Sequence, residues 1–254
     1  MFRSYRIGTL FGFPIEVNLS FLVLLAFALL WMGGLAGIAL ILVAFGSVLL
    51  HELGHAIVAR HLGVRVAGIE LHFFGGAAKM VEQPRSAGDE IAIAAAGPAV
   101  SFALGGIGFM LSALTGVWFF GMFGWLNTVI ATFNLVPALP MDGGRILRAL
   151  LTRRMSFYKA TETSVFIARG FSILLGAVGI ATLHLYLVLL AVVIWFMGTA
   201  ELQVAKRYGY GHSPVQRMPR GWEPERQSGF HRPVASGGFV VRTRNGRLVI
   251  ELVE

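Results

Sequence analysis

Three ionisable residues fall within five positions of an otherwise apolar stretch, His51-Glu52-Leu53-Gly54-His55. On a helix, positions i and i+4 share one face, a turn apart. Two imidazoles so placed can bind one zinc ion, and the glutamate between them can reach a metal-bound water. A charge at the centre of a membrane span costs about 2.5–3.5 kcal/mol on insertion scales. Three ionisable groups in one apolar helix therefore need a compensating role.

Catalytic zinc takes three protein ligands and keeps a fourth position open. The chain has no cysteine, so the third ligand must be a carboxylate or another histidine. Glu16, Asp142 and Glu201 are the acidic candidates near apolar segments, and His72 is a rival. Asp142 ends the run Asn134-Leu135-Val136-Pro137-Ala138-Leu139-Pro140-Met141-Asp142-Gly143-Gly144. Its prolines break a regular helix and its glycines allow a tight turn. Irregular backbone at membrane depth is tolerated only beside protein or a water-filled cavity. His51 is 16 residues beyond Leu35, which places it about 24 Å along a helix starting there.

The elements that must position these groups follow from composition. Of 254 residues, 56% are hydrophobic and 13% charged, against about 25% charged in ordinary soluble domains. The mean hydropathy is +0.72. These values exclude a typical soluble enzyme and a disordered chain. Bilayer-length apolar runs cover Val17–Met32, Leu35 to about Ala59, Ile91–Leu114 and Val117–Val136. Gly170–Gly198 has no Asp, Glu, Lys or Arg. With its lead-in Ala160–Arg169 it is long enough for two spans that turn near Thr182–His184. The predicted fold class is thus all-α and polytopic, with about six transmembrane helices.

On that reading the turns Trp31–Ala36, Ser112–Trp118 and Thr182–His184 contain no Lys or Arg, and all 21 basic residues fall on the other side. The positive-inside rule makes that side, and both termini, cytoplasmic. The expectation is a multi-pass protein of a prokaryotic cytoplasmic membrane, with no cleaved signal peptide. The net charge of +8 then serves the lipid surface, and nucleic acid is not an expected partner.

Two segments lie outside the bilayer. Gly63–Asp89 partly alternates apolar and polar residues and reads as short strands. The predicted domain boundary separates a membrane-embedded core, residues 1–201, from a basic tail, residues 202–254. In the tail, Phe239–Arg244 and Arg247–Leu252 flank Asn245-Gly246, a strong hairpin signal. The expected register sets Phe239, Val241 and Thr243 opposite Leu252, Ile250 and Leu248. A lone hairpin is marginal in water, so it is expected to dock on the loop strands or on a second copy of the chain.

His51-Glu52-Leu53-Gly54-His55 in one span, and Asn134-x-x-Pro137-x-x-x-x-Asp142-Gly143 closing a later one, resemble the site-2 protease family of intramembrane zinc metalloproteases. Phe74-Gly75-Gly76-Ala77 and Ala96-Gly97-Pro98 are similar to further motifs of that family. The resemblance covers roughly Arg6–Ala200 and is closest to a minimal six-span branch without PDZ or CBS domains. It implies one Zn2+ per chain, bound by His51, His55 and Asp142, with Glu52 as catalytic acid/base. It also implies that Asn134 lies near the metal and helps hold substrate or its oxyanion. Many members carry Asn where this chain has Ser101. The implied activity is endoproteolysis within or near the transmembrane segment of a membrane-protein substrate. A transmembrane helix hides its carbonyls in its own hydrogen bonds, so substrate must unwind. Phe74, Gly75 and Gly76, within the stretch Phe73–Ala78, are expected to hold it as an added strand. An accessory regulator or a homodimer are the further partners this reading allows.

Two other classes compete. A non-proteolytic zinc-binding scaffold would close its metal with four ligands, and only three good ones are present. An ion transporter would also use broken helices and intramembrane carboxylates. A multi-span prenyl-protein peptidase would be expected to supply a downstream glutamate where Asp142-Gly143 stands.

Overall fold

The computed structural model describes residues 4–31, 34–72, 75–209, 239–244 and 247–252. Among them are seven helices and six strands. The membrane unit opens with β1 (Ser4–Leu10) and β2 (Phe13–Asn18), followed by α1 (Leu19–Trp31) and α2 (Leu35–His61). Then come β3 (Val66–His72), β4 (Gly75–Met80), α3 (Ala87–Thr115), α4 (Trp118–Asn134), α5 (Asp142–Leu151), α6 (Phe157–Ala181) and α7 (Leu185–Gly209). A separate unit contains β5 (Phe239–Arg244) and β6 (Arg247–Leu252).

Four helices, α2, α3, α6 and α7, are long and apolar enough to cross a membrane. Of the about six spans expected, these four meet that length, and the helical fold with a small β segment is as expected. At 13 and 17 residues, α1 and α4 are about 20 and 25 Å long, short of a hydrocarbon core of about 30 Å. The first apolar run is shorter than expected because Val17 and Asn18 belong to β2. The α6–α7 break falls at Thr182–His184, as expected from the sequence.

The sheet has the order β1-β2-β3-β4. β2 alternates strictly, with Phe13, Ile15 and Val17 buried. It pairs in parallel with β3, Ile15 opposite Ile69 and Val17 opposite Leu71. Parallel neighbours need a long crossover, and here α1 and α2 provide it. β3 and β4 form an antiparallel pair, Glu70 opposite Ala77 and Leu71 opposite Gly76. Phe13, Ile15 and Ile69 pack with Leu53 and Ala56 of α2 in one buried cluster. The sheet is thereby fixed to the helix that carries His51, Glu52 and His55.

α3 begins at Ser86, whose hydroxyl accepts from Asp89 N at 3.0 Å, a standard N-cap. α3 and α4 cross closely, as small residues permit in lipid. A Cβ on Gly108 would lie 2.7 Å from Gly124 Cα. Between α2 and α4, Asn127 Nδ2 donates to Ser47 Oγ at 3.1 Å in a fully buried contact. In the other unit, Phe239 pairs with Leu252, Val241 with Ile250 and Thr243 with Leu248, the register expected from the sequence.

On the sheet's polar face, Glu70 accepts from Ser4 Oγ and Asn18 Nδ2 and pairs with Lys79 Nζ at 2.9 Å. These donors, Ser4 foremost, hold its carboxyl down to about 2 from an ordinary 4.5. Lys79, between Glu16 and Glu70, is held above its ordinary value. A depressed carboxylate stabilises the fold above its unfolded value and loses that contribution as pH falls. The raised lysine loses its contribution only in strong alkali, so it does not act in the acid window. The thermal unfolding temperature of detergent-solubilised protein should therefore fall as pH drops from about 5 towards 2. Glu70→Gln should flatten that slope; an unchanged slope would rule out this origin.

Candidate metal centre

α2 presents His51, Glu52 and His55 so that one ligand atom from each lies within 4.8 Å of the others. α5 brings Asp142 to the same place. Its Oδ2 is 3.1 Å from His51 Nε2 and 3.1 Å from His55 Nε2. All three residues are buried. Donors each about 2.0–2.1 Å from a tetrahedral ion lie roughly 3.3 Å apart, so the convergence has the size that one ion requires.

The outer nitrogens settle which imidazole faces are free. His55 Nδ1 lies 2.6 Å from the carbonyl of Ile93. A carbonyl only accepts, so Nδ1 carries the proton and Nε2 presents a lone pair. His51 Nδ1 is 2.9 Å from Ser101 Oγ. Both partners come from α3, and such outer contacts orient metal-binding histidines. α3 also passes against the inner nitrogens. A Cβ on Gly97 would lie 2.3 Å from His55 Nε2 and 2.5 Å from His51 Nε2. Any side chain there would occupy the place of the ion. The donor set, the tautomer and this cradle fit zinc.

Asp142 is held by a tightly folded entry to α5. Cβ atoms on Gly143 and Gly144 would lie 2.2 Å from Leu135 O and 2.3 Å from Leu139 N. One and a half turns on, Arg148 pairs with buried Glu90 of α3 at 2.5 Å and with Glu201 of α7 at 3.4 Å. Its guanidinium also stacks over Phe157 of α6, 5.1 Å from the ring centre. Breaking a buried pair by removing one partner costs about 3–5 kcal/mol, so Arg148 fixes the helix that carries Asp142.

Glu52 is partly buried, and its Oε2 accepts from Ala78 N of β4 at 3.0 Å. Gly76 admits this approach, since a Cβ there would lie 2.8 Å from Glu52 Cγ. A cavity of about 390 Å³ opens beside the site, lined by Glu52, His55, Gly76, Asn134, Asp142 and Met197 among others. Asn134 thus shares the cavity wall, and its Nδ2 donates to Ile130 O at 2.9 Å. Gly75 opens β4, and Phe74 lies outside the described residues.

The rival ligands are elsewhere. Glu16 is paired with Lys79 at 2.8 Å and Glu201 with Arg148. His72 lines the cavity but stands outside the converging donors, and its buried Nδ1 has no partner among the described residues. Sequence reasoning missed the roles of Ser101, the Ile93 carbonyl, Arg148 with Glu90, and the Ala78 amide. Only Ser101 carried a signal, as a polar residue one turn after Gly97 in an apolar span.

Asp142→Ala and Gly97→Ala should each leave purified protein nearly free of zinc by elemental analysis. Ser101→Ala should weaken zinc retention about 10–100-fold in chelator competition. Normal zinc content in both of the first two variants would relocate the ion.

Comparison with known proteins gives the family. A family model, peptidase family M50, matches residues 39–118 and 114–177. A zinc metalloprotease of Methanocaldococcus jannaschii is 32% identical over 211 residues, 80% of this chain and 62% of that protein. Stage IV sporulation protein FB of Bacillus subtilis is 33% identical over 132 residues, 51% of this chain and 46% of that protein. The chain thus spans about six tenths of the first relative's length and under half of the second's. The solved site-2 protease from Methanocaldococcus jannaschii superposes with a TM-score of 0.64 at 32% identity, covering 79% of this chain and 95% of that one. With the family match reaching from α2 past Asp142, this chain belongs to peptidase family M50, the site-2 protease family that its motifs resemble.

Proposed function

We propose that the chain is a zinc-dependent intramembrane endopeptidase that hydrolyses a peptide bond within or near the transmembrane segment of a membrane protein. The observation that carries this reading is the meeting of His51, His55 and Asp142, with His55, Asp142 and Glu52 in the wall of one cavity. His51, His55 and Asp142 would hold the zinc. When bound, zinc supplies Lewis acidity towards the scissile carbonyl and makes hydroxide available near neutral pH.

Glu52 serves as the proton carrier. Its Oε2 is fixed by the Ala78 amide, which leaves the other oxygen to take a proton from the attacking water and pass it to the leaving amine. Asn134, on the same wall, steadies the substrate carbonyl. β4 offers backbone amides and carbonyls beside Glu52, so an unwound substrate joins there as a strand, with Gly75 and Gly76 keeping the approach open.

Residues 1–201 form the catalytic core in this proposal, and residues 202–254 a basic tail on the anionic membrane surface. All six apolar segments cross the bilayer in this proposal, and both termini are cytoplasmic. The one-sided placement of Lys and Arg supports this orientation, and it suits a prokaryotic inner membrane. An accessory protein or a second copy of the chain selects substrates where the core does not. A scaffold or transporter role would leave the fixed orientation of Glu52 without a purpose.

Glu52→Gln, co-reconstituted with a single-span substrate, should retain zinc and fold while losing at least about 10²-fold in cleavage rate. Undiminished turnover would overturn the mechanism.

A further inference from the structure

α5 carries two arginines whose surroundings differ. Arg148 is paired with Glu90 and Glu201. Arg145 stands at i+3 from Asp142, on the same helix face. Its largely buried side chain lines the cavity beside the metal centre. Its one ionic neighbour among the described residues is Asp142 Oδ1 at 3.7 Å, beyond hydrogen-bond reach. The other oxygen of that carboxylate is turned to His51 and His55. The guanidinium therefore brings a fork of N–H donors to the cavity, and none of them is in a hydrogen bond with another described residue.

An unwound substrate has the complementary need. β4 is an edge of the sheet, so a strand added there bonds to it along one side only. The carbonyls of its other side recur at every second residue, about 7 Å apart, and face away from the sheet. A carbonyl taken out of water and left without a donor is costly. The cavity wall beyond the sheet and α2 is mainly apolar, with Pro140, Leu190, Ile194 and Met197. The side-chain donors on that wall are Asn134 and Arg145. Asn134 already gives one N–H to Ile130 O, and the other serves the carbonyl under attack. A second carbonyl depends on Arg145.

We infer that Arg145 is a substrate-binding residue, whose guanidinium donates to a backbone carbonyl on the outer edge of the substrate strand, close to the cleaved bond. The inference rests on the strand-addition reading above. Recognition through the backbone makes Arg145 indifferent to substrate side chains; what it requires is an extended, unwound chain. Asp142 does not need Arg145 for its own placement, which the tightly folded entry to α5 provides.

The test uses zinc-loaded Glu52→Gln protein and a synthetic single-span peptide that the wild type cleaves, with binding read by fluorescence anisotropy in detergent micelles. Adding Arg145→Gln should weaken binding about tenfold or more, the worth of a hydrogen bond from a charged group. Zinc content by elemental analysis should stay unaltered. Arg145→Lys, which keeps the charge without the planar fork, should recover part of the loss. Single carbonyls near the cleaved bond replaced by thiocarbonyls, which are weaker acceptors, should lower affinity at one position. That sensitivity should vanish in Arg145→Gln. Undiminished binding by Arg145→Gln overturns the proposal, and so does loss of zinc from it, which would make Arg145 a support of Asp142 instead. Indifference of the Glu52→Gln protein to every thiocarbonyl overturns it without recourse to the arginine variants. A wild type that cleaves no single-span peptide would overturn the proteolytic reading itself, and this proposal with it.

Discussion

Everything in this bundle depends on three ligand groups meeting where water is scarce. Two imidazoles and a carboxylate placed apart in an apolar interior would each carry its own desolvation cost. With each imidazole 3.1 Å from the carboxylate, they are placed to share one ion, whose binding would offset that cost. The surrounding elements serve that meeting. α3 supplies a side-chain-free passage at Gly97 and a partner for each outer nitrogen. The irregular stretch before α5 delivers Asp142, and the Arg148–Glu90 pair keeps α5 in place.

Small residues do much of this positioning. Gly54 of α2 lies against the Ala96 carbonyl, where a Cβ would come within 2.9 Å. Gly108 and Gly124 bring α3 and α4 together in the same way. In lipid, where no hydrophobic force drives helices together, such contact supplies the attraction through dispersion and short polar bonds. The Asn127–Ser47 hydrogen bond is one of these, a turn from His51 on the same helix.

The sequence was most legible where one signal dominated. Long apolar runs revealed α2, α3, α6 and α7, and an uncharged stretch too long for one span revealed the break at Thr182–His184. The histidine spacing marked the metal helix because helical periodicity is rigid. β1 and β2 were less visible because Phe13 to Asn18, despite perfect alternation, runs directly into an apolar helix. α5 was hidden by Gly143 and Gly144, poor helix formers kept for close packing rather than propensity. Arg148 read as one basic residue among several, since its partners Glu90 and Glu201 are 58 and 53 positions away in the chain. Long-range pairs of that kind leave no local pattern.

The parallel pairing of β2 with β3 has a consequence for biogenesis. These strands can join only after the two intervening helices, α1 and α2, have been made. β4 is laid on β3, and the amide that binds Glu52 belongs to β4. The partners that orient the histidines, Ile93 and Ser101, and the carboxylate of Asp142 all follow β4 in the chain. The complete cluster of His51, Glu52, His55 and Asp142 is therefore a late product of assembly, closed only when α5 is laid beside α2 and α3.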